Sequence, residues 1–431
     1  MAHLLGYTSF AFLLLLIALG VPIAWAISIV AFSGMTLLFG FSQAIAQFYT
    51  TAFNTAGEFL FASIPLFIYM GLIVSYARIG EDLYDAMYKW FGRLPGGLLV
   101  ASVVSCTMFG AVTGVSSAAV GTMSKIVLPE MRRYNYDIKM ASGGLASAAT
   151  IAIMIPPSVL LILYGLWTET SIGKLFIAGI VPGLILTLAF SLYIMARCTL
   201  SPELGRAGDA FPLREKVQSL LKITPIFVIF GVVIGGLYVG WFTPGEAAAV
   251  GVLSTIAVAT AMRRLSLNHL WEAAKQTVQL SGMIFAVLIS ASVLARFLAA
   301  TQVTSSVIGI IDTSDLPDLV VLLAVLGVLL LLGCVLDSFG MILLTLPFIF
   351  PVVTSLGYDP IWFGIILVLM TELALITPPV GMNVFVLAKV DGQLSLGEIF
   401  AGVTPFVVIT LLVIATFIAF PGIVTWLPSR M

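Results

Sequence analysis

About ten stretches of this chain run for the length of a membrane-crossing helix with almost no charge, and that pattern restricts the fold more than any motif does. They lie near 4–20, 22–39, 59–77, 140–165, 175–196, 223–241, 245–262, 278–300, 361–388 and 403–427. Inside hydrocarbon every backbone N–H and C=O must find a partner within the protein, so the expected fold is an all-α integral membrane protein. Hydrophobic residues make up 61% of the 431 and charged residues 9%, whereas soluble domains carry about a quarter charged residues. The net charge is -1 and no basic run exceeds the pairs Arg132-Arg133 and Arg263-Arg264, so no nucleic-acid partner is expected. Cys106, Cys198 and Cys334 stand singly, without the paired spacing of a zinc or redox site. The opening MAHLLGYTSF has neither a basic n-region nor a small-residue cleavage site, and is expected to remain as part of a first helix.

Two stretches depart from the pattern, one between Arg93 and Lys125 and one between Asp318 and Asp359. Each is too long for one ordinary span and too short for two. Arg78, Lys89 and Arg93 precede the first, and Lys125, Arg132, Arg133 and Lys139 follow it, so both ends belong on the cytoplasmic side. A re-entrant hairpin over 95–128 is expected, with its tip near Gly114-Val115-Ser116-Ser117-Ala118-Ala119. The second, 319–355, is flanked by Asp312, Asp315, Asp318 and Asp359 and is expected to open to the periplasm.

The polar segment 197–222, with Arg206, Arg214 and Lys216, reads as a cytoplasmic linker between repeats at 1–196 and 223–431. Gly20-Val21-Pro22 matches Phe242-Thr243-Pro244, Phe67 with Ala77-Arg78 matches Phe285 with Ala295-Arg296, and Ile155-Pro156-Pro157 matches Thr377-Pro378-Pro379. An odd number of spans in each half makes the second repeat inverted relative to the first, an arrangement found in secondary transporters. Amphipathic arm helices are expected at 40–58 and 264–277.

Paired prolines within apolar helices remove backbone donors, so the helices at 140–165 and 361–388 are expected to break at Pro156-Pro157 and Pro378-Pro379. The carbonyls released there suit a hard cation such as Na⁺. Hairpin tips would bring Ser116, Ser117, Asp337 and Ser338 to the same depth, and helix N-termini suit a carboxylate. Asp337 reads either as an intramembrane ligand or as a tip cap, Glu372 as a second intramembrane acid, and Glu246 as a helix-start acid. Arg78 and Arg296 end equivalent spans, and His3 and His269 are terminal or interfacial. No Walker motif or hydrolase constellation is present, and the spans lack the polar stripe of a channel.

Six motifs, Ser63-Ile64-Pro65-Leu66-Phe67, Gly114-Val115-Ser116-Ser117-Ala118-Ala119, Ile155-Pro156-Pro157-Ser158, Phe176-Ile177-Ala178-Gly179-Ile180-Val181-Pro182-Gly183, Thr243-Pro244-Gly245-Glu246-Ala247-Ala248-Ala249 and Ile376-Thr377-Pro378-Pro379-Val380-Gly381-Met382-Asn383, resemble the large membrane (M) subunit of tripartite ATP-independent periplasmic (TRAP) transporters. The resemblance spans nearly the whole chain. It implies a sodium-coupled elevator in the bacterial inner membrane that imports an organic acid anion of the sialic acid or C4-dicarboxylate class. It also implies a small four-helix membrane subunit (Q type) and a soluble periplasmic binding protein (P type). One sodium site would use Ser63, Gly110, Ala152, Ile155 and Pro157, and a second Gly333, Ala374, Thr377 and Val380. Substrate would lie near Ser116, Ser117, Asp337, Ser338 and Asn383. Gly110 and Thr113 stand where many relatives have serine, so position 110 could offer only its carbonyl. A stand-alone ion-coupled anion carrier of the same architecture is the alternative.

Overall fold

Glycine and proline set where the helices of this computed structural model end. It describes residues 2–314 and 316–430, with only the backbone described at Ala2 and Asp312. Asp315 and the Asp312 side chain, placed by sequence beside the second hairpin, lie outside the described residues. Gly20 and Gly40, at φ +83°, end Ala2–Ala18 and Ile23–Phe39 in backbone conformations that a side chain would disfavour. Phe41–Gly57 follows as an amphipathic arm, and a 3₁₀ turn at Phe59–Ala62 leads into Ser63–Tyr76. All regular structure among the described residues is helical.

Among the described residues seven helices are long and apolar enough to cross a bilayer: Phe59–Tyr76, Ile172–Leu200, Leu213–Val239, Pro244–Ala261, Leu267–Thr301, Ser338–Ser355 and Leu396–Ala419. Ile138–Met154 and Val159–Trp167, bent by 43° at their break, form an eighth. The expectation of about ten spans is not reached by length alone. Ala2–Ala18 and Ile23–Phe39 have 17 residues each, and a helix that short measures about 25 Å at 1.5 Å per residue, less than the ~30 Å hydrocarbon core.

Three local readings change. The second arm is not a separate helix over 264–277, because Lys275 to Ser281 contains no breaker and the chain continues as the 35-residue helix Leu267–Thr301. Between arm and span in the first half, Glu58 adopts an extended conformation instead. The linker shortens to 201–212, since Ile172–Leu200 and Leu213–Phe230 extend into it. Helices Ile79–Phe91 and Val303–Thr313, absent from the list of spans, precede the two hairpins. Ile79–Phe91 was legible: Glu81 and Asp82 in its first turn and Lys89 in its last match the helix dipole, and Ile79, Leu83, Ala86 and Met87 form its buried stripe.

The helices gather into two groups. Leu267–Thr301 packs on Ile23–Phe39, Phe41–Gly57 and Ser63–Tyr76, with Pro244–Ala261 on the far side of Ser63–Tyr76. The other group holds the two helix–turn–helix units, Gly97–Thr113 with Ser116–Arg133 and Asp318–Gly333 with Ser338–Ser355. It also holds the two broken helices, Ile138–Met154 with Val159–Trp167 and Pro360–Ala374 with Met382–Asp391, together with the continuous Ile172–Leu200 and Leu396–Ala419. Within it Ile138–Met154 crosses Leu396–Ala419 at Gly143 and Gly402, and a Cβ on Gly402 would run into the Lys139 carbonyl. Between the groups, Gly71 lies so close to Thr113 that a Cβ there would sit 2.6 Å from the Thr113 Cα.

Both ends of the first helix–turn–helix are tied to the linker. Gly96 N–H donates to the Gly205 carbonyl (3.1 Å), Gly208 N–H to Gly92 (2.7 Å), Asp137 N–H to Leu204 (2.9 Å), and the Tyr134 hydroxyl to Asp209 (2.8 Å). Its two ends therefore lie on one face of the protein. Beyond the second unit, burial first and the Asp318 charge next raise the Tyr358 hydroxyl above its ordinary pKa.

Candidate functional site

Pro156 and Pro157 stand where helix continuation would need amides for the Ala152 and Ile153 carbonyls, and Pro378 and Pro379 do the same to Ala374 and Leu375. Both Pro–Pro peptide bonds are cis. The first break, Ile155 to Ser158, is wholly buried, and Ser158 Oγ restarts the helix by accepting the Leu161 N–H at 3.3 Å. At the second break, Pro360–Ala374 gives way to Met382–Asp391 through Gly381 at φ +61°. There Thr377 N–H donates to the Ala374 carbonyl (3.2 Å), Asn383 N–H to Leu375 (3.1 Å), and Thr377 Oγ1 to Leu373 (2.6 Å). Pro378 and Pro379 are exposed, so this second break is open where the first is closed.

Each tip seats on the break of its own half. A Cβ on Gly110 would run into the Ala152 backbone, and one on Gly114 would come within 2.7 Å of the Pro157 carbonyl oxygen. In the second half a Cβ on Gly333 would lie 2.5 Å from the Ala374 Cβ. Glycine on the hairpin and alanine on the broken helix thus make the same contact twice.

The halves also interlock. Asn383, fully buried, accepts from Ser116 Oγ at 3.2 Å and donates through Nδ2 to the Ala146 carbonyl at 3.5 Å. Met382–Asp391 thereby lies against Ser116–Arg133 and Ile138–Met154 of the first half. Reciprocally, Val159–Trp167 lies against Ser338–Ser355 and Pro360–Ala374, where the Tyr164 hydroxyl donates to the Pro360 carbonyl at 2.5 Å. Arg132 Nη2 reaches the Asp391 carboxylate at 2.7 Å, and that carboxylate is only 3% exposed. Arg132→Ala leaves that carboxylate only the Gln393 N–H at 3.3 Å, so a fall of about 1–3 kcal/mol in stability is expected. An unchanged thermal unfolding midpoint in detergent would contradict this.

Ser116 and Asn383 are brought together, with the half-buried Ser117 beside them. Asp337 and the buried Ser338 make no hydrogen bond to that group; Asp337 Oδ1 instead accepts the Gly340 N–H (3.2 Å) as the cap of Ser338–Ser355. Ser63 is buried, its Oγ donating to Leu60 (2.7 Å), while Thr377 and Val380 are half-buried. Glu372 is enclosed, and neither carboxylate oxygen has a partner among the described residues. Glu246 closes a capping box with Thr243, as its position after Pro244 implied. Arg78 takes a left-handed conformation at the start of Ile79–Phe91, and Arg296 is exposed.

Unpartnered oxygen atoms gather at the first tip. The Ala152 carbonyl loses its helical donor, and Thr113 Oγ1 is buried without a partner. Thr113 was not among the residues assigned to a site. Its signal was its place immediately before the tip glycine. Among the described residues no cluster of three His, Cys, Asp or Glu side chains is arranged to hold a metal, which leaves carbonyls and hydroxyls as the available donors.

The model of the DctM component of tripartite ATP-independent periplasmic transporters matches residues 10–423. The chain is 34% identical over 400 residues to a C4-dicarboxylate TRAP transporter large permease of Pseudomonas aeruginosa, covering 92% of each chain. It is 30% identical over 379 residues to a sialic acid TRAP transporter large permease of Vibrio cholerae, covering 86% of this chain and 87% of that one. Both are named as permeases. Among solved structures it is similar to the YdaH transporter of Alcanivorax borkumensis, with a TM-score of 0.62 at 12% identity over 89% of this chain and 90% of that one. At that identity the likeness speaks to fold alone.

Proposed function

Because the chain belongs to the DctM component family of tripartite ATP-independent periplasmic transporters, and is a multi-pass inner-membrane protein, we propose that it is a sodium-coupled elevator importing a small organic acid anion. The family carries organic acids by secondary transport with a periplasmic binding protein. The finer reading rests on one observation, the repeated seating of a hairpin glycine on a broken-helix alanine (Gly110 on Ala152, Gly333 on Ala374) where paired prolines interrupt the helix. In this reading 1–196 and 223–431 are inverted repeats, 95–128 and 319–355 are re-entrant hairpins, and the hairpin group slides against the group built on Leu267–Thr301.

Sodium would be held by Ser63, Gly110, Ala152, Ile155 and Pro157 at the first tip, with Thr113 added, and by Gly333, Ala374, Thr377 and Val380 at the second. The carboxylate would meet Ser116, Ser117 and Asn383, with Asp337 and Ser338 lining the opposite tip. A small four-helix membrane subunit would extend the scaffold, and a P-type binding protein would deliver substrate. Dicarboxylate and sialic acid relatives both lie near 30% identity, so either acid fits the family.

The test is uptake of succinate and of N-acetylneuraminate into proteoliposomes holding the chain with its small subunit and purified binding protein, with and without a sodium gradient. Accumulation of one acid that follows the gradient is expected; accumulation indifferent to it would overturn sodium coupling. Thr377→Leu removes one oxygen ligand and is expected to raise the sodium concentration for half-maximal uptake about tenfold, equivalent to ~1.4 kcal/mol. An unshifted sodium curve removes Thr377 from the site.

A further inference from the structure

A polar chamber lies away from the tips, where the ends of Ser63–Tyr76 and Leu267–Thr301 face the second arm of the first hairpin. Its volume is about 710 Å³, within the range of sites for small organic ligands. Ser75, Arg78, Thr122, Lys125, Arg264 and His269 line it. Its wall is shared between the two helix groups, which meet there in the Ser75–Thr122 hydroxyl pair at 3.1 Å.

Charge in the chamber is mostly positive. Arg264 is held by Asp82, whose hydrogen bond keeps the guanidinium protonated, and Arg78 stands 3.9 Å from Glu81. Lys125 is exposed and makes no ion pair among the described residues. His269 stacks on Tyr76 at 5.6 Å with its Nδ1 buried and unpartnered. The unpaired Lys125 ammonium and the Ser75 and Thr122 hydroxyls line one open space, with the Glu81 carboxylate beside Arg78 also on its wall. That combination suits a carboxylate.

We propose that this chamber is a second binding site for a carboxylate anion, on the cytoplasmic side, holding the transported acid after it leaves the tips. It rests on the transport reading above and on the orientation given by Arg78, Lys89, Lys125 and Arg132. Because Ser75 belongs to one helix group and Lys125 to the other, an anion bound there bridges the two and opposes their sliding. Acid accumulating inside would then slow further import.

The test uses the full chain in inside-out membrane vesicles. Ser75→Cys places a thiol in the chamber wall; Cys106, Cys198 and Cys334 are all buried and stay silent. Labelling by a small hydrophilic maleimide is followed with succinate or N-acetylneuraminate present, against chloride at equal ionic strength. At least one acid is expected to slow labelling about fivefold, the upper range for one exposed charge pair. Lys125→Gln in the Ser75→Cys background is expected to abolish that protection, and Lys125→Arg to keep it. Labelling unaffected by either acid, or protection that survives Lys125→Gln, overturns the site. Failure of the transport reading shows separately, as absent acid uptake in proteoliposomes while chamber protection persists.

Discussion

Asn383→Leu is expected to lower acid uptake at least about tenfold while leaving the protein folded. The amide is enclosed between the halves, with Ser116 on one side and the Ala146 carbonyl on the other. Leucine is of similar size but leaves the Ser116 hydroxyl without its amide partner, at roughly 1–3 kcal/mol for a buried polar group, while the Ala146 carbonyl keeps only its helical donor. It also disconnects the start of Met382–Asp391 from the tip where the acid would bind. Initial uptake rates in proteoliposomes measure the effect, with gel-filtration behaviour as the control for folding. Uptake within about twofold of the unmodified chain would remove Asn383 from the site.

Gly402→Val is expected to have the largest effect on stability. Gly402 and Gly143 let two helix backbones touch, and any Cβ at 402 would be driven into the Lys139 carbonyl, a group that cannot turn aside. Overpacking of this kind costs about 3 kcal/mol or more when backbone has to move. The expected result is a lowered thermal midpoint or aggregation on extraction. Gly397→Ala, on the same helix with nothing within 4 Å of its added methyl, is expected to leave the midpoint unchanged. Equal behaviour of the two variants would mean that the crossing tolerates separation.

Where the helices stop was largely legible, because the causes are local. Prolines at 156, 157, 378 and 379 take away amides wherever the chain goes, and Asp337, Ser158 and Ser266 cap the helices that follow them through amides three residues away. The second arm was misread because polarity over 264–277 marks an interface but carries no breaker, and helix propagation continues until something interrupts it. Thr113 was named only as a departure from the resembled family and assigned to no site, because the enclosure of its hydroxyl depends on Gly71 letting a neighbouring helix close over it.

The sequence alone determined an all-helical membrane protein, the sites where two of its helices open, and the oxygen atoms those openings release. It also carried the motifs by which the family is recognised. Only the tertiary structure decided which segments meet at the openings: the Gly110–Ala152 and Gly333–Ala374 contacts, the exchange of half-helices between halves, and the pairing of Ser116 with Asn383. The physical reason is range. A missing amide acts within one helical turn, while the partner of a buried amide 267 residues away is chosen by how whole helices pack.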